Sequence, residues 1–434
     1  MILNFLPNKY CWLRYLLATL FFCSLSNLHA QFRVEVTGIG KNQIPIAINL
    51  FIGQSKTIPV ISEVIANDLE RSGLFKANKA SEGITENDRP NLHPFKGQGI
   101  DALVVGSITE SEPKRYKVSF RLWDVAKNED LGAKSFFVSE SDLRLSAHVI
   151  SDYIFEQLTG EKGSFATKVT FVTKFSSKYS LWISDIDGEN AKTALNSPDP
   201  IISPSWSRDG TQIAYVSFES RKPVVYVHNI AEGTRKIVAD FKGSNSAPAW
   251  SPDGKKLVVA LADKGLQQLY LIDLDGEKPK RLFESLGIDT EPTFSQDGRS
   301  IYFVSDRSGG PQIYRGTVET GQYNRITFDN NFNTSPSISP DGKLLAYISK
   351  QKESYRLFVM NLITGLTSSI TDTTADERPS FSPNGKLIIY TTQENGRHVL
   401  MTTTVDGQYK SKLAAQLGDM REPNWGPSQV DFSR

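Results

Sequence analysis

The chain has 434 residues, with 49 Lys and Arg against 48 Asp and Glu, and 39 % hydrophobic and 10 % aromatic residues. The formal charge of +1 excludes a surface dominated by basic residues, and 31 glycines with 21 prolines exclude collagen-like and low-complexity classes. A mean hydropathy of −0.31 excludes a polytopic membrane protein, while the apolar fraction suffices for a packed core.

Residues 1–30 read as an address. Lys9 and Arg14 precede a short apolar run at 15–25, and Leu28-His29-Ala30 ends it with a small residue. This is the pattern of a secretory signal, too short for a membrane span of ~20 residues. Cleavage is expected after Ala30. Both cysteines, Cys11 and Cys23, fall inside the segment. Phe21 and Phe22 are bulky where a lipid-attachment cysteine needs small neighbours. The exported chain therefore has no disulfide, and its core alone must hold it together.

Residues 31–44 stand apart. Phe32, Val34 and Val36 alternate with Arg33 and Glu35, and Gly38 and Gly40 follow. This pattern reads equally as a domain strand or as a detachable strand that pairs with a partner's sheet edge.

Residues 45–160 predict a small α/β domain. A buried strand is expected at 45–51 and an amphipathic helix at 59–71, stopped by Ser72-Gly73. Residues 78–98 are polar and read as a connection. A second buried strand is expected at 100–107, then a hairpin of 116–125 with 133–138. Ser141 is the expected cap of a helix that runs to Leu158 and stops at Gly160. Residues 161–167 form the expected linker.

From 168 to 434 a repeat dominates. It reads Pro204-Ser205-Trp206-Ser207-Arg208-Asp209-Gly210, then Pro248-Ala249-Trp250-Ser251-Pro252-Asp253-Gly254, then Pro292-Thr293-Phe294-Ser295-Gln296-Asp297-Gly298. Pro336, Pro379 and Pro423 open three further copies. The prolines stand 44, 44, 44, 43 and 44 residues apart. Each unit reads as four short strands, the first pair joined by an Asp-Gly or Asn-Gly turn, which marks a β-propeller blade. Residues 169–172 and 181–188 resemble second and third strands with no first strand before them. The segment from Pro423 to Trp425 is a first strand with nothing after it. The C-terminal strand is therefore expected to complete the blade begun at 168, giving a six-bladed ring without exposed edges. Trp206, Trp250, Phe294, Ile338, Phe381 and Trp425 read as fillers between blades, and the Asp-Gly pairs as turn chemistry instead of metal ligands.

No catalytic motif is present. There is no G-x-S-x-G, H-E-x-x-H or phosphate-cradling glycine loop. His93, His148, His228 and His398 lie in different units without ligand spacing. A propeller mouth can still gather distant carboxylates, so a secreted enzyme acting on cell-wall glycan stands as the alternative to a binding protein.

The signal segment, the α/β domain, Gly99-Ile100-Asp101-Ala102-Leu103-Val104-Val105-Gly106, Phe155-Glu156-Gln157-Leu158-Thr159-Gly160 and the six blades together resemble the TolB family. That family comprises periplasmic propeller proteins of the Tol-Pal envelope system. The resemblance implies a monomeric, non-catalytic adaptor without cofactor or metal. It implies Pal, the peptidoglycan-associated lipoprotein, at the propeller mouth and TolA at the N-terminal segment, in support of outer-membrane integrity and constriction at division. Other outer-membrane lipoproteins or porins fit the same role; nucleic acid and membrane insertion do not. Carried over by position, the Pal-facing residues are Asn245, Ala247, Thr290 and Glu291, with Ser203, Ser335, Arg378 and Glu422 at the same rim. Ser244 stands where members carry histidine. The TolA-facing residues are Phe32, Arg33, Val34, Glu35 and Val36.

Overall fold

The computed structural model describes residues 43–53, 61–80, 83–263, 265–276, 278–415 and 417–428. The expected signal and most of the 31–44 segment lie outside these. Among the described residues, no helix is long and apolar enough to cross a membrane.

The first unit is a five-stranded sheet in the order β2-β1-β3-β4-β5. Strand β1 (Ile44–Asn49) runs parallel to both β2 (Phe75–Ala80) and β3 (Ala102–Glu112). Strands β4 (Arg115–Asp124) and β5 (Glu129–Ser139) continue as an antiparallel meander. Helices α1 (Ile61–Arg71) and α3 (Leu143–Thr159) cover one face through Ile61, Ile65, Leu69, Ala147, Ile150 and Ile154, all buried. A short helix, α2 (His93–Gly97), closes the other face, with Leu92 and Phe95 against Leu103, Val105 and Trp123.

Two expectations fail here. The stretch 78–98 is not wholly a connection, because β2 reaches into it and α2 lies within it. Only Phe75 of β2 is buried, so its pairing with β1 carries the strand and hydrophobic pattern does not. Ser141 does not cap α3. A 3-10 turn (Glu140–Asp142) precedes the helix, and the Ser141 and Asp142 side chains bond to Ser139 Oγ at 2.8 and 2.5 Å instead. The far end behaves as expected. Gly160 takes the left-handed conformation at φ 75°, and its N–H donates to Glu156 O at 2.8 Å.

The second unit is a six-bladed ring of four-stranded antiparallel sheets. The first-strand aromatics lie between neighbouring blades, as expected. Trp206 packs with Val172 and Leu181 of one sheet and Ile213 and Tyr215 of the next. Trp250 and Phe381 do the same one and four blades on. The Asp-Gly turns are locked by the serine before them: Ser251 Oγ donates to Asp253 Oδ1 at 2.5 Å and accepts from Lys256 N at 2.9 Å. The serine hydroxyl and a backbone N–H, from Ser251 and Lys255 in one turn and Ser295 and Arg299 in the next, hold the Asp253 and Asp297 carboxyls below the ordinary aspartate range. The turn glycines take φ 69 to 71°, which any Cβ would oppose.

The ring closes through its two ends. The strand Asp419–Ser428 pairs antiparallel with β6 (Thr167–Phe175), followed by β7 (Lys178–Asp185) and β8 (Lys192–Ser197). Trp425 faces Val169, its Nε1 donates to Thr167 Oγ1 at 2.8 Å, and its backbone N donates to Ser380 Oγ of the preceding blade at 3.0 Å.

Trp425→Ala is expected to cost about 3–5 kcal/mol, since it empties a buried site at the seam. Removing residues 419–428 should abolish cooperative unfolding of the ring. Urea unfolding followed by tryptophan fluorescence, with light scattering for aggregation, checks both.

Candidate functional site: the tunnel mouth

Each inner strand carries a proline, and the residue before it takes a positive φ in every blade: Ser203 (52°), Ala247 (50°), Glu291 (49°), Ser335 (54°), Arg378 (50°) and Glu422 (56°). None is glycine, so each stores strain of roughly 1–2 kcal/mol. The strand register shifts at the same place in every blade, as between Ser246 and Ala249 or Thr290 and Thr293. The bulge turns one residue per blade toward the axis, and these six line a cavity of about 130 Å³ in the tunnel.

Across that cavity the side chains meet. The Arg378 Nε donates to Glu422 Oε2 at 3.1 Å, and its Nη2 donates to Ser203 Oγ at 3.1 Å and lies 3.7 Å from Glu291 Oε1. Glu422 Oε2 accepts from Ser203 N at 3.1 Å, and Glu291 Oε2 accepts from Ser335 N at 2.7 Å. Burial pushes the guanidinium pKa down, but Glu422, Glu291 and Glu377 outweigh it and raise it. Arg378 thus ties its own blade to three others, Glu291 carries the network on to Ser335 of a fifth, and the guanidinium obstructs the axis.

Outside this knot a groove of about 310 Å³ opens, lined by Ile202, Phe218, Ser244, Ala247, Thr290 and Glu291 among others. Gln267 Nε2 donates to both Ser244 Oγ and Ser246 Oγ at 3.0 Å and fixes its wall. Of the residues expected at the rim, Ala247, Thr290, Glu291, Ser203 and Arg378 line this groove, while Ser335 and Glu422 lie at the knot below it. Asn245 is fully buried. Its Oδ1 accepts from Phe241 N at 2.9 Å, and its Nδ2 donates to Pro223 O, Phe241 O and Gly243 O at 3.0–3.1 Å. It pins the loop before the strand and presents no free atom to the groove. The residues expected to face TolA, Phe32 to Val36, lie outside the described residues. Sequence reasoning missed Gln267 and the strained backbone ring. The ring positions carry Ser, Ala, Glu and Arg, so residue type gave no signal beyond the proline that follows.

The first unit sits on the opposite face. Asn384, in a first-hairpin turn, donates from its backbone N to Ser164 Oγ and from Nδ2 to Lys162 O, both at 3.0 Å. Lys386 pairs with Glu161 at 2.7 Å. The mouth is therefore left uncovered by the rest of the chain as described.

Comparison with known proteins agrees with this architecture. The TolB amino-terminal domain family matches residues 32–131, and the TolB beta propeller domain family matches residues 155–429. The chain belongs to the TolB family. A "Tol-Pal system protein TolB" of Albidiferax ferrireducens is 62 % identical over 401 residues, covering 92 % of this chain and 94 % of the relative. One from a Polaromonas strain (JS666) is 60 % identical over 93 % of this chain and 95 % of the relative. The crystal structure of TolB from Acinetobacter baumannii aligns with a TM-score of 0.82 at 35 % identity, over 89 % of this chain and 97 % of that one. The family gives this chain a role in the Tol-Pal system.

Arg378→Met is expected to destabilise the ring by about 1–2 kcal/mol, the buried-pair cost reduced because the guanidinium side chain is 29 % exposed. Adding Glu291→Gln and Glu422→Gln should recover part of that loss. A mutant cycle in urea measures the coupling.

Proposed function

We propose that the chain is a non-catalytic periplasmic adaptor of the Tol-Pal system that takes Pal at the tunnel mouth and TolA at its N-terminal segment. It is exported by cleavage after Ala30 and acts as a monomer without cofactor, in support of outer-membrane integrity and constriction at division. The observation that carries this reading is the mouth itself. It is a groove of mixed lining, with Ile202 and Phe218 beside Ser244, Thr290 and Glu291, its floor obstructed by Arg378, on the face away from the first unit. The loops leading into it expose Phe241, Leu286, Ile288 and Phe328, with Leu286 96 % exposed. Large apolar side chains gathered on one face favour a protein partner over a small substrate.

The alternative, a glycan hydrolase, needs two carboxylates free to flank a glycosidic bond. The two carboxylates nearest the axis, Glu291 and Glu422, are both engaged by Arg378 and by backbone N–H groups. That arrangement supports the binding role. The segment from Phe32 to Val36, with its strand alternation, supports a contact made by strand addition.

Ala247→Arg and Leu286→Asp are each expected to weaken capture of purified Pal at least about tenfold, or about 1.4 kcal/mol, with melting unchanged in Leu286→Asp. Arg378 shows that this backbone conformation carries arginine, whereas Ala247 itself packs with Val258 and Phe283, so the exposed Leu286 is the position that separates binding from folding. Equal affinity for wild type and both variants in calorimetry rejects the mouth. Deleting residues 31–42, which stops short of the buried Ile44, should abolish binding of TolA and retain Pal.

A further inference from the structure

The seam between the first unit and the ring contains a buried group of charges. From α1 come Asp68 and Arg71; from α3 come Arg144, His148 and Asp152; from the blade that closes the ring come Lys168, Asp185 and Asp187. His148 Nδ1 lies 2.7 Å from Asp68 Oδ2 and its Nε2 lies 3.7 Å from Asp185 Oδ2, with all three side chains at most 1 % exposed. Arg144 Nε lies 3.5 Å from Asp185 Oδ2, and its Nη2 pairs with Asp187. Lys168 pairs with Asp185, Asn190 Nδ2 donates to Asp185 Oδ2 at 2.8 Å, and Arg71 lies 3.6 Å from Asp68. Asp68, His148 and Asp187 bring ligand-type atoms within 4.8 Å of one another. Arg71, Arg144 and Lys168 already pair with Asp68, Asp185 and Asp187, and Asp152 accepts from backbone N–H groups, so the group is an ion-pair network and not a metal centre.

We propose that this network is a clasp that holds the first unit on the closing blade, and that opening it loosens the seam while each unit keeps its own fold. The reason is where the charges sit. A buried ion left without its partner must regain water. Here the charges come from both sides of the boundary, so a parting of the seam at that point hydrates them before either core melts. Each unit has its own sheet and, away from the seam, its own core residues; the cluster under α1 and α3 runs on into Val169, Leu387 and Trp425 of the ring and loosens with the seam. The segment 161–166 is drawn into the same seam. Asp152 Oδ1 accepts from Phe165 N at 2.7 Å and Oδ2 accepts from Ala166 N at 3.0 Å. The connection is therefore a fastened strap in the closed state and becomes a free one when the clasp opens.

His148 sets the range over which the clasp holds. Burial pushes its pKa down, but Asp68, Asp185 and Asp187 outweigh burial and lift it to about 10. Burial pushes Asp185 up, and His148 and Lys168 outweigh that and hold it far below the ordinary range. A histidine raised in the folded state contributes stability that is fully present below its free value near 6.5. That contribution is lost as pH rises through about 10. The clasp is thus closed at neutral pH and opens on the alkaline side.

The test uses the full exported chain. In Arg144→Gln, trypsin cleavage after Lys162 is expected to rise at least about tenfold, while near-ultraviolet circular dichroism and the melting of the ring stay as in wild type. The double variant Arg144→Gln with Asp187→Asn should return most of the protection, since no carboxylate is then stranded at that position. Cleavage within twofold of wild type, or cleavage that rises only with melting of the whole chain, overturns the clasp. If Arg144→Gln does not fold, the wild type decides by small-angle scattering. Its radius of gyration is expected to increase between about pH 8 and pH 11 before circular dichroism changes, and a constant radius overturns the proposal.

Discussion

The pairing of Asp419–Ser428 with Thr167–Phe175 is the contact on which everything else rests. It joins residues about 250 positions apart in a sheet that no local sequence can form alone. Without it the ring has two open edges, and the layer between the last blades loses Trp425. With it the six inner strands are held at fixed spacing around an axis. That spacing lets Glu291, Arg378 and Glu422 meet across the tunnel.

The closing blade serves two partners at once. Its inner strand carries Glu422, which receives Arg378 on the mouth side. Its β6 and β7 carry Lys168 and Asp185, which receive Arg144 and His148 from the first unit. One sheet therefore connects the groove to the seam through a few strands of rigid hydrogen-bonded backbone. The core reflects this continuity: Ile150 and Phe155 of α3 belong to the same apolar cluster as Val169, Leu387 and Trp425 of the ring. The two units are packed as neighbours, and the strap between them is fastened on both sides.

Much of the mouth was legible beforehand because its positions are tied to the repeat. The proline marks the inner strand, and the residue before it reaches the axis in each blade. What the pattern did not reveal is the backbone conformation that makes this possible. A left-handed residue before proline has no side-chain signature here, since serine, alanine, glutamate and arginine all occupy it. Nor did it reveal that Asn245 turns away to hold a loop, or that Gln267 reaches across to Ser244 and Ser246. Those choices depend on which neighbour happens to be within reach after folding. The polar strand β2 escaped notice for a related reason, because an edge strand is defined by its pairing and buries little of its own.

By itself the amino-acid sequence determined the repeat, its turns, the filling of the layers between blades and the need for the last strand to complete the first sheet. These follow from local chemistry repeated every 43 or 44 residues: proline and glycine restrict the backbone, serine locks the turn, and one large side chain fills each gap. Only the tertiary structure decided that Arg378 lies between two glutamates and that His148 lies between two aspartates. Such pairings join residues 44 to 87 positions apart or drawn from separate units. Their energies come from burial and from distance between charges, and neither quantity exists until the chain is folded.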